Sequence, residues 1–417
     1  LPGLALGLLL LTACGGQNRT TALVPGTDAP EMQRQVTDIA FDFSWDLQFP
    51  APVHLAWIDP EINDLLVLQL ADRSLHGLDA TSGMTRFVTD PLPSLIRMDI
   101  EVTRAVMTLA DGTKQHDDRL YVIAESTLLC IDAIYGQLIW RYDLPFEPAT
   151  APYVVGHGEG LRIFIGDWVD KIRVIAYDQK ASRPYMNWQH RLPGAAQSQA
   201  SGAEGLVYVG SSDGLLACFG LDRDEKWRVS THGAVLAAPA VRGRSLYVGA
   251  SDNVLHAFNR LSGAPLGRLY LQGPVQRSPF LFDNQADTVF VWSEAPQQGL
   301  HAITAITDTV PYTDVAEPRF PLEVERLGKK WFVPTVNRLV GSSPRQLYTV
   351  VDNGSDIYAI DKETGNVDWR WPLSADLGGL PEHVLSYHDP KDVLRSLYVI
   401  MPDGYLKSYR IFGQIGH

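Results

Sequence analysis

Apolar residues in this chain come in short runs, each broken by Gly, Asn or Asp, and the clearest example is residues 347–369, LYTVVDNGSDIYAIDKETGNVDW. The pattern predicts three consecutive strands over 347–351, 357–361 and 367–369. Asn353-Gly354 suits a tight hairpin between the first two, because glycine reaches positive φ without steric cost. Gly365 does the same for the loop that follows. A three-stranded unit is marginal alone, since one of its faces has nothing to bury against.

The unit recurs. Residues 65–87 place Leu75, Asp79 and Gly83 where 347–369 has Ile357, Asp361 and Gly365, and residues 120–140 place Leu128, Asp132, Gly136 and Trp140 in register. Residues 163–188 are looser, with Val174, Tyr177 and Asp178 matching and Trp188 late. Residues 207–227 keep Leu215 and Trp227 but carry Phe219 in the place of the Asp; residues 246–267 carry Asn259 there and retain Gly263. Residues 289–303 keep the strands alone, and 397–410 run into the chain end. The equivalent apolar positions, Leu75, Leu128, Val174, Leu215, Leu255, Leu300, Ile357 and Leu406, are spaced by 53, 46, 41, 40, 45, 57 and 49 residues. Spacings of this size are propeller-blade lengths.

A further strand is expected ahead of several units, as at Ala238-Pro239-Ala240-Val241 and Ser278-Pro279-Phe280-Leu281. Four strands per unit and eight units predict an all-β, eight-bladed β-propeller of four-stranded antiparallel blades. The last unit lacks its Trp-bearing strand, and a candidate without a partner, Phe43-Ser44-Trp45-Asp46-Leu47, sits near the start. N- and C-terminal strands are therefore expected to share one blade and close the ring.

Composition changes little. At 417 residues, 45% apolar and 20% charged, the chain can bury a large core. Length alone suggests two or three domains, but the repeats predict a single propeller over 38–417. A formal charge of −13 argues against nucleic acid as a partner and against adsorption on an anionic membrane face.

The start of the chain reads differently. Leu4 to Leu11 is almost wholly apolar, too short to span a bilayer, and runs into Leu11-Thr12-Ala13-Cys14-Gly15. This is similar to a bacterial lipobox, in which the cysteine is acylated and becomes the mature N-terminus. Residues 1–14 are thus expected to be a lipoprotein signal segment whose basic leading part lies before Leu1. Residues 15–37 are expected to be a flexible tether, and lipid on Cys14 to hold the body at a membrane. Cys130 and Cys218, in units two and four, are expected to be buried free thiols at adjacent but different register positions.

The motif Ile-x-Ala-x-Asp-x-x-Thr-Gly-x-x-x-Trp at 357–369 resembles the repeat of pyrroloquinoline-quinone-type propellers, over nearly the whole chain beyond the tether. The resemblance implies one of two branches: secreted quinoprotein dehydrogenases using the quinone and calcium, or the BamB-like lipoproteins of the outer-membrane β-barrel assembly machinery. Members of the second branch are non-enzymatic scaffolds of similar length with an acylated N-terminus, and this chain looks more like them. A scaffold at the periplasmic face of the outer membrane, binding an envelope protein, is the expected function; a quinone-dependent dehydrogenase, or a degenerate ligand-binding relative, is the alternative. The dehydrogenases carry an adjacent cysteine pair that this sequence lacks. No cofactor is expected, with quinone and calcium entering only under the alternative.

The repeat residues read as structural. Asp79, Asp132, Asp178 and Asp361 would accept hydrogen bonds from the turns after them, Gly83, Gly136, Gly263 and Gly365 would supply backbone freedom, and the resemblance implies that Trp140, Trp188, Trp227 and Trp369 dock between blades. The run Asp352 to Asp356 offers oxygen ligands but lacks a calcium-loop frame and coincides with the hairpin turn. His76, His256 and His301 share one repeat position, which periodicity explains better than a shared metal. No nucleophile elbow or phosphate loop occurs. Three insertions, 88–118, 307–343 and 374–395, are expected to be long loops, and Trp331-Phe332 in the second to be a candidate partner-binding site.

Overall fold

The computed structural model describes residues 40–58, 64–108, 114–282, 285–296, 298–310, 322–351, 356–373, 380–388 and 394–412. Residues 1–14 with Cys14, residues 15–37 expected as a tether, and residues 352–355, where the hairpin turn was expected, lie outside these. The described chain is an eight-bladed propeller of antiparallel sheets. Blade one comprises Val53–Ile58, Leu65–Leu70, Leu75–Asp79 and Thr85–Val88; blade two Glu101–Thr103, Arg119–Ala124, Thr127–Asp132 and Leu138–Asp143. Blade three is Tyr153–Val155, Arg162–Gly166, Lys171–Asp178 and Arg183–Arg191, and blade four Ser201–Ala203, Leu206–Gly210, Leu215–Gly220 and Glu225–Ser230. Blade five is Ala240–Arg242, Ser245–Gly249, Val254–Asn259 and Pro265–Tyr270, and blade six Thr288–Ser293, Gly299–Val310 and Leu322–Pro334. Blade seven is Val336–Ser342, Gln346–Val351, Ile357–Asp361 and Val367–Trp371.

Blade eight combines the two ends of the chain: His383–His388, Leu394–Ile400 and Tyr405–Phe412 are completed by Ala40–Gln48. Ala40 pairs with Phe412 and Gln48 with Tyr405, so the predicted clasp forms. The core shows the same closure. Buried apolar residues form eight clusters, each shared by consecutive blades, and one of them joins Tyr398, Ile400 and Leu406 of blade eight to Leu66, Leu68 and Leu78 of blade one. Each blade buries its two faces against its neighbours, which is why no blade needs to be stable alone.

Four expectations need correction. The predicted insertions are not simple loops: they hold the short first strands of blades two, seven and eight. Residues 307–343 include the continuation of a long hairpin, Gly299–Val310 with Leu322–Pro334, paired from Gly299↔Pro334 to Val310↔Leu322. Blade six keeps only a single bridge, Phe280↔Phe290, where its first strand was expected; Pro279 has no N–H to extend it. Cys130 and Cys218 face Trp140 and Trp227 across their ladders and so share one register position. The fourth is small: Gly220, opposite Leu206, opens the blade-four turn rather than Phe219.

Candidate functional site on the loop face

The repeat residues build the joints between blades. In blades one, two, three and seven the Asp ending the third strand accepts two backbone N–H groups from its own turn. Asp79 Oδ1 takes Thr81 and Ser82 (3.0 and 2.9 Å), Asp132 takes Ile134 and Tyr135 (2.8 and 2.7 Å), Asp178 takes Lys180 and Ala181 (2.9 and 3.0 Å), and Asp361 takes Glu363 and Thr364 (3.0 and 2.9 Å). The fixed turn then receives a ring from the previous blade. Trp227 donates its indole N–H to Arg260 O at 3.1 Å, and its ring lies where a side chain on Gly263 would have to go. Trp45 meets Thr81 O and Gly83 in the same way, and Trp188 reaches Leu221 O. Phe87 covers Gly136 where another blade would use tryptophan. Trp140 stacks on Tyr177 of the next blade, and Trp369 is buried against Tyr348.

Trp331 belongs to this set. It lies on a strand, donates to Lys362 O at 2.9 Å and packs on Gly365. It is blade six's docking tryptophan, displaced in sequence by the long hairpin. Phe332 lies on the other face, against His301 with ring centroids 4.4 Å apart. The pair thus lies on a paired strand rather than on the loop expected for it.

The histidines at the shared repeat position are held separately. His76 meets Ser74 Oγ at 3.1 Å, His256 meets Asp252 at 3.1 Å and His301 meets Ser293 Oγ at 2.8 Å. Burial lowers the pKa of all three, and that of His301 falls to about 4, with Lys329 adding to the effect. Among the described residues no three His, Cys, Asp or Glu side chains gather as a metal would need. Burial pushes both Cys130 and Cys218 up to about 12, so both thiols stay protonated and unreactive at neutral pH.

The turns between second and third strands, and the loops leading to the next blade, share the other face. There a groove of about 1130 Å³ runs over blades one to three, lined by His54, Arg73, Arg97, Glu125, Glu147 and Trp168 among others. Arg97 also lines a shallower depression of about 330 Å³ with Gln197, Gln199 and Arg277, loop residues of blades four and six. Arg73 sits at φ 74°, where the corresponding turns use Gly214, Asn253 and Gly404. A non-glycine residue there carries a steric cost, and it aims the Arg73 guanidinium at Pro93 O, 3.0 Å away.

At one end of the groove stands the turn 167–170 of blade three. Asp167 is buried, and its Oδ1 accepts the N–H groups of Val169, Asp170 and Lys171 at 3.1, 2.9 and 2.7 Å. Its Oδ2 is paired with Arg173, which lies 4.5 Å over the Phe146 ring. The turn so fixed presents Trp168 51% exposed and Val169 74% exposed. Sequence reading missed this pair. The available signal was a tryptophan in a turn where the sister blades carry Ser-Asp-Gly or Ser-Asp-Asn.

The family model for the outer membrane protein assembly factor BamB matches residues 170–316. BamB from Moraxella catarrhalis is a similar solved structure, with a TM-score of 0.57 at 13% identity, covering 91% of this chain and 99% of that one. The computationally designed Ika8 protein gives 0.56 at 14%, covering 87% and 98%. A quinohemoprotein alcohol dehydrogenase from Pseudomonas putida HK5 gives 0.54 at 14%, covering 90% of this chain and 77% of that one. No curated protein matches the sequence. The structural likenesses speak for the fold alone; the sequence match to the BamB family model is confined to residues 170–316.

Proposed function

We propose that the chain is a membrane-anchored scaffold of the bacterial envelope that binds a partner protein through its loop face. The observation that carries this reading is Trp168-Val169, an apolar pair left in solvent on a turn that Asp167 holds rigid, beside a groove of about 1130 Å³. The other indoles discussed above are used between blades. An exposed aromatic on a pre-formed turn is what a binding hot spot requires: large area and little entropy lost on docking. The match to the BamB family model over 170–316, a stretch beginning within this turn, supports barrel-protein assembly at the outer membrane as the process served. Acylation of Cys14 would supply the anchor and residues 15–37 the reach. The chain would work without quinone or calcium.

Purification of the full-length protein from detergent-solubilised envelopes tests the reading. A barrel-assembly component recovered in stoichiometric amount is the expected result. A protein purified alone, which turns over alcohols in a dye-linked assay once quinone and calcium are added, would transfer the reading to the dehydrogenase branch.

A further inference from the structure

The joint between blades five and six lacks both halves of the tryptophan lock. Across the blade-five ladder Ala257 faces Gly267, with a register shift immediately after, as Cys218 faces Trp227 in blade four and Ala359 faces Trp369 in blade seven. Gly267 therefore stands in the tryptophan position. The receiving turn of blade six is missing too, because the connection there is the long hairpin Gly299–Val310 with Leu322–Pro334.

The two omissions fit each other. The second hairpin strand lies on the vacated slot, so close that any side chain on Gly267 would run into the Glu325 carbonyl. Leu327 packs against the apolar cluster of blades five and six. Glu325, 3% exposed, accepts the Tyr247 hydroxyl, and Tyr247 occupies the position from which Tyr208 and Tyr348 meet tryptophan rings in blades four and seven. Among the described residues the other carboxylate oxygen of Glu325 has no hydrogen-bond partner. The ladder to Thr288–Ser293 ends at Thr304, and Ala305 adds one last bond from its N–H to Asp287 O. Beyond it, residues 306–310 and 322–326 pair with each other. The outer half of the hairpin can thus lift without breaking the blade's own ladder.

We infer that this hairpin is a clasp replacing the tryptophan lock between blades five and six, with the Tyr247–Glu325 bond as its catch. A buried polar catch holds only while both partners are present, since a carboxylate left without its donor is poorly accommodated. Lifting the clasp would uncover the Gly267 slot and the partly buried Leu269. This device goes beyond the scaffold reading and does not depend on it.

Hydrogen exchange on the full-length protein, read by peptide mass spectrometry, tests it. Tyr247→Phe removes one hydroxyl and should speed exchange over 322–326 by about tenfold, the loss of one hydrogen bond with its buried acceptor, with the outer strands of blades two and three unchanged. Gly267→Trp should free the same segment by occupying its place. The catch is wrong if exchange over 322–326 is unaltered in Tyr247→Phe, and the clasp is wrong if Gly267→Trp leaves it unaltered or loosens all blades equally.

Discussion

Trp227 and Trp168 lie on neighbouring blades and meet opposite fates. Trp227 is 9% exposed, its indole N–H satisfied by Arg260 O and its ring set on Gly263. Trp168 is 51% exposed, and what is fixed is the turn beneath it rather than the ring. The first arrangement recurs at Trp45, Trp188 and Trp331 because every joint of a ring faces the same packing problem. The second breaks the pattern of its own repeat. In a repeat protein, then, residues that obey the period carry the fold, and a costly residue that departs from it points to function.

The difference can be broken from the structural side first. Trp227→Ala should be the most damaging change, lowering stability by about 3–5 kcal/mol through the lost ring and the cavity left between blades. Thermal unfolding would show it as a fall in Tm. A result near zero would mean that the joints do not depend on their indoles.

Acid should follow in size. His301 is 2% exposed and held neutral, its pKa lowered from the ordinary 6.5 to about 4 by burial and by Lys329. The unfolded chain therefore takes up the proton first. Stability contributed by His301 is complete above about pH 6.5, declines as pH falls and is gone below about pH 4, a change of roughly 1–3 kcal/mol. Denaturant melts across this window should show a shallower decline in His301→Gln than in the native protein.

Asp361→Asn should cost less, roughly 1 kcal/mol, because the turn bonds survive and the ion pair with a largely exposed Arg345 is what disappears. Burial alone would raise the Asp361 pKa, but bonds from Arg345 and from Thr364 hold it below 3.8. Its contribution is accordingly present above pH 3.8 and lost as pH falls further. Acid melts of the His301→Gln variant, in which the first decline is absent, separate the two contributions, since the loss from His301 begins at higher pH than the loss from Asp361.

Much of this was legible in the sequence where the period held. Eight apolar positions at blade spacing and one tryptophan strand without a partner, around Trp45, were enough for the ring and its closure. The first strands of blades two, seven and eight escaped notice because a strand beside the axis needs no alternating pattern, and one is only three residues long. Trp331 was misread because the hairpin before it stretched the interval between Leu300 and Ile357 to 57 residues. Gly267 gave no signal, since a missing residue has meaning only beside the strand that fills its place. Trp168 was visible as an aromatic in a turn, but its exposure depends on Asp167 and Arg173, and that contact exists only in the fold.

The smallest expected effect on stability carries the most meaning. Replacing Trp168 and Val169 by alanine should change the unfolding free energy by no more than about 0.5 kcal/mol, as for exposed residues elsewhere. The decisive measurement is capture of the barrel-assembly partner from solubilised envelopes by this double variant, beside the native protein and with matched Tm values. The account predicts that capture is lost while Tm stays the same. Undiminished capture by a folded Trp168→Ala, Val169→Ala variant would contradict it and place the binding surface elsewhere on the ring.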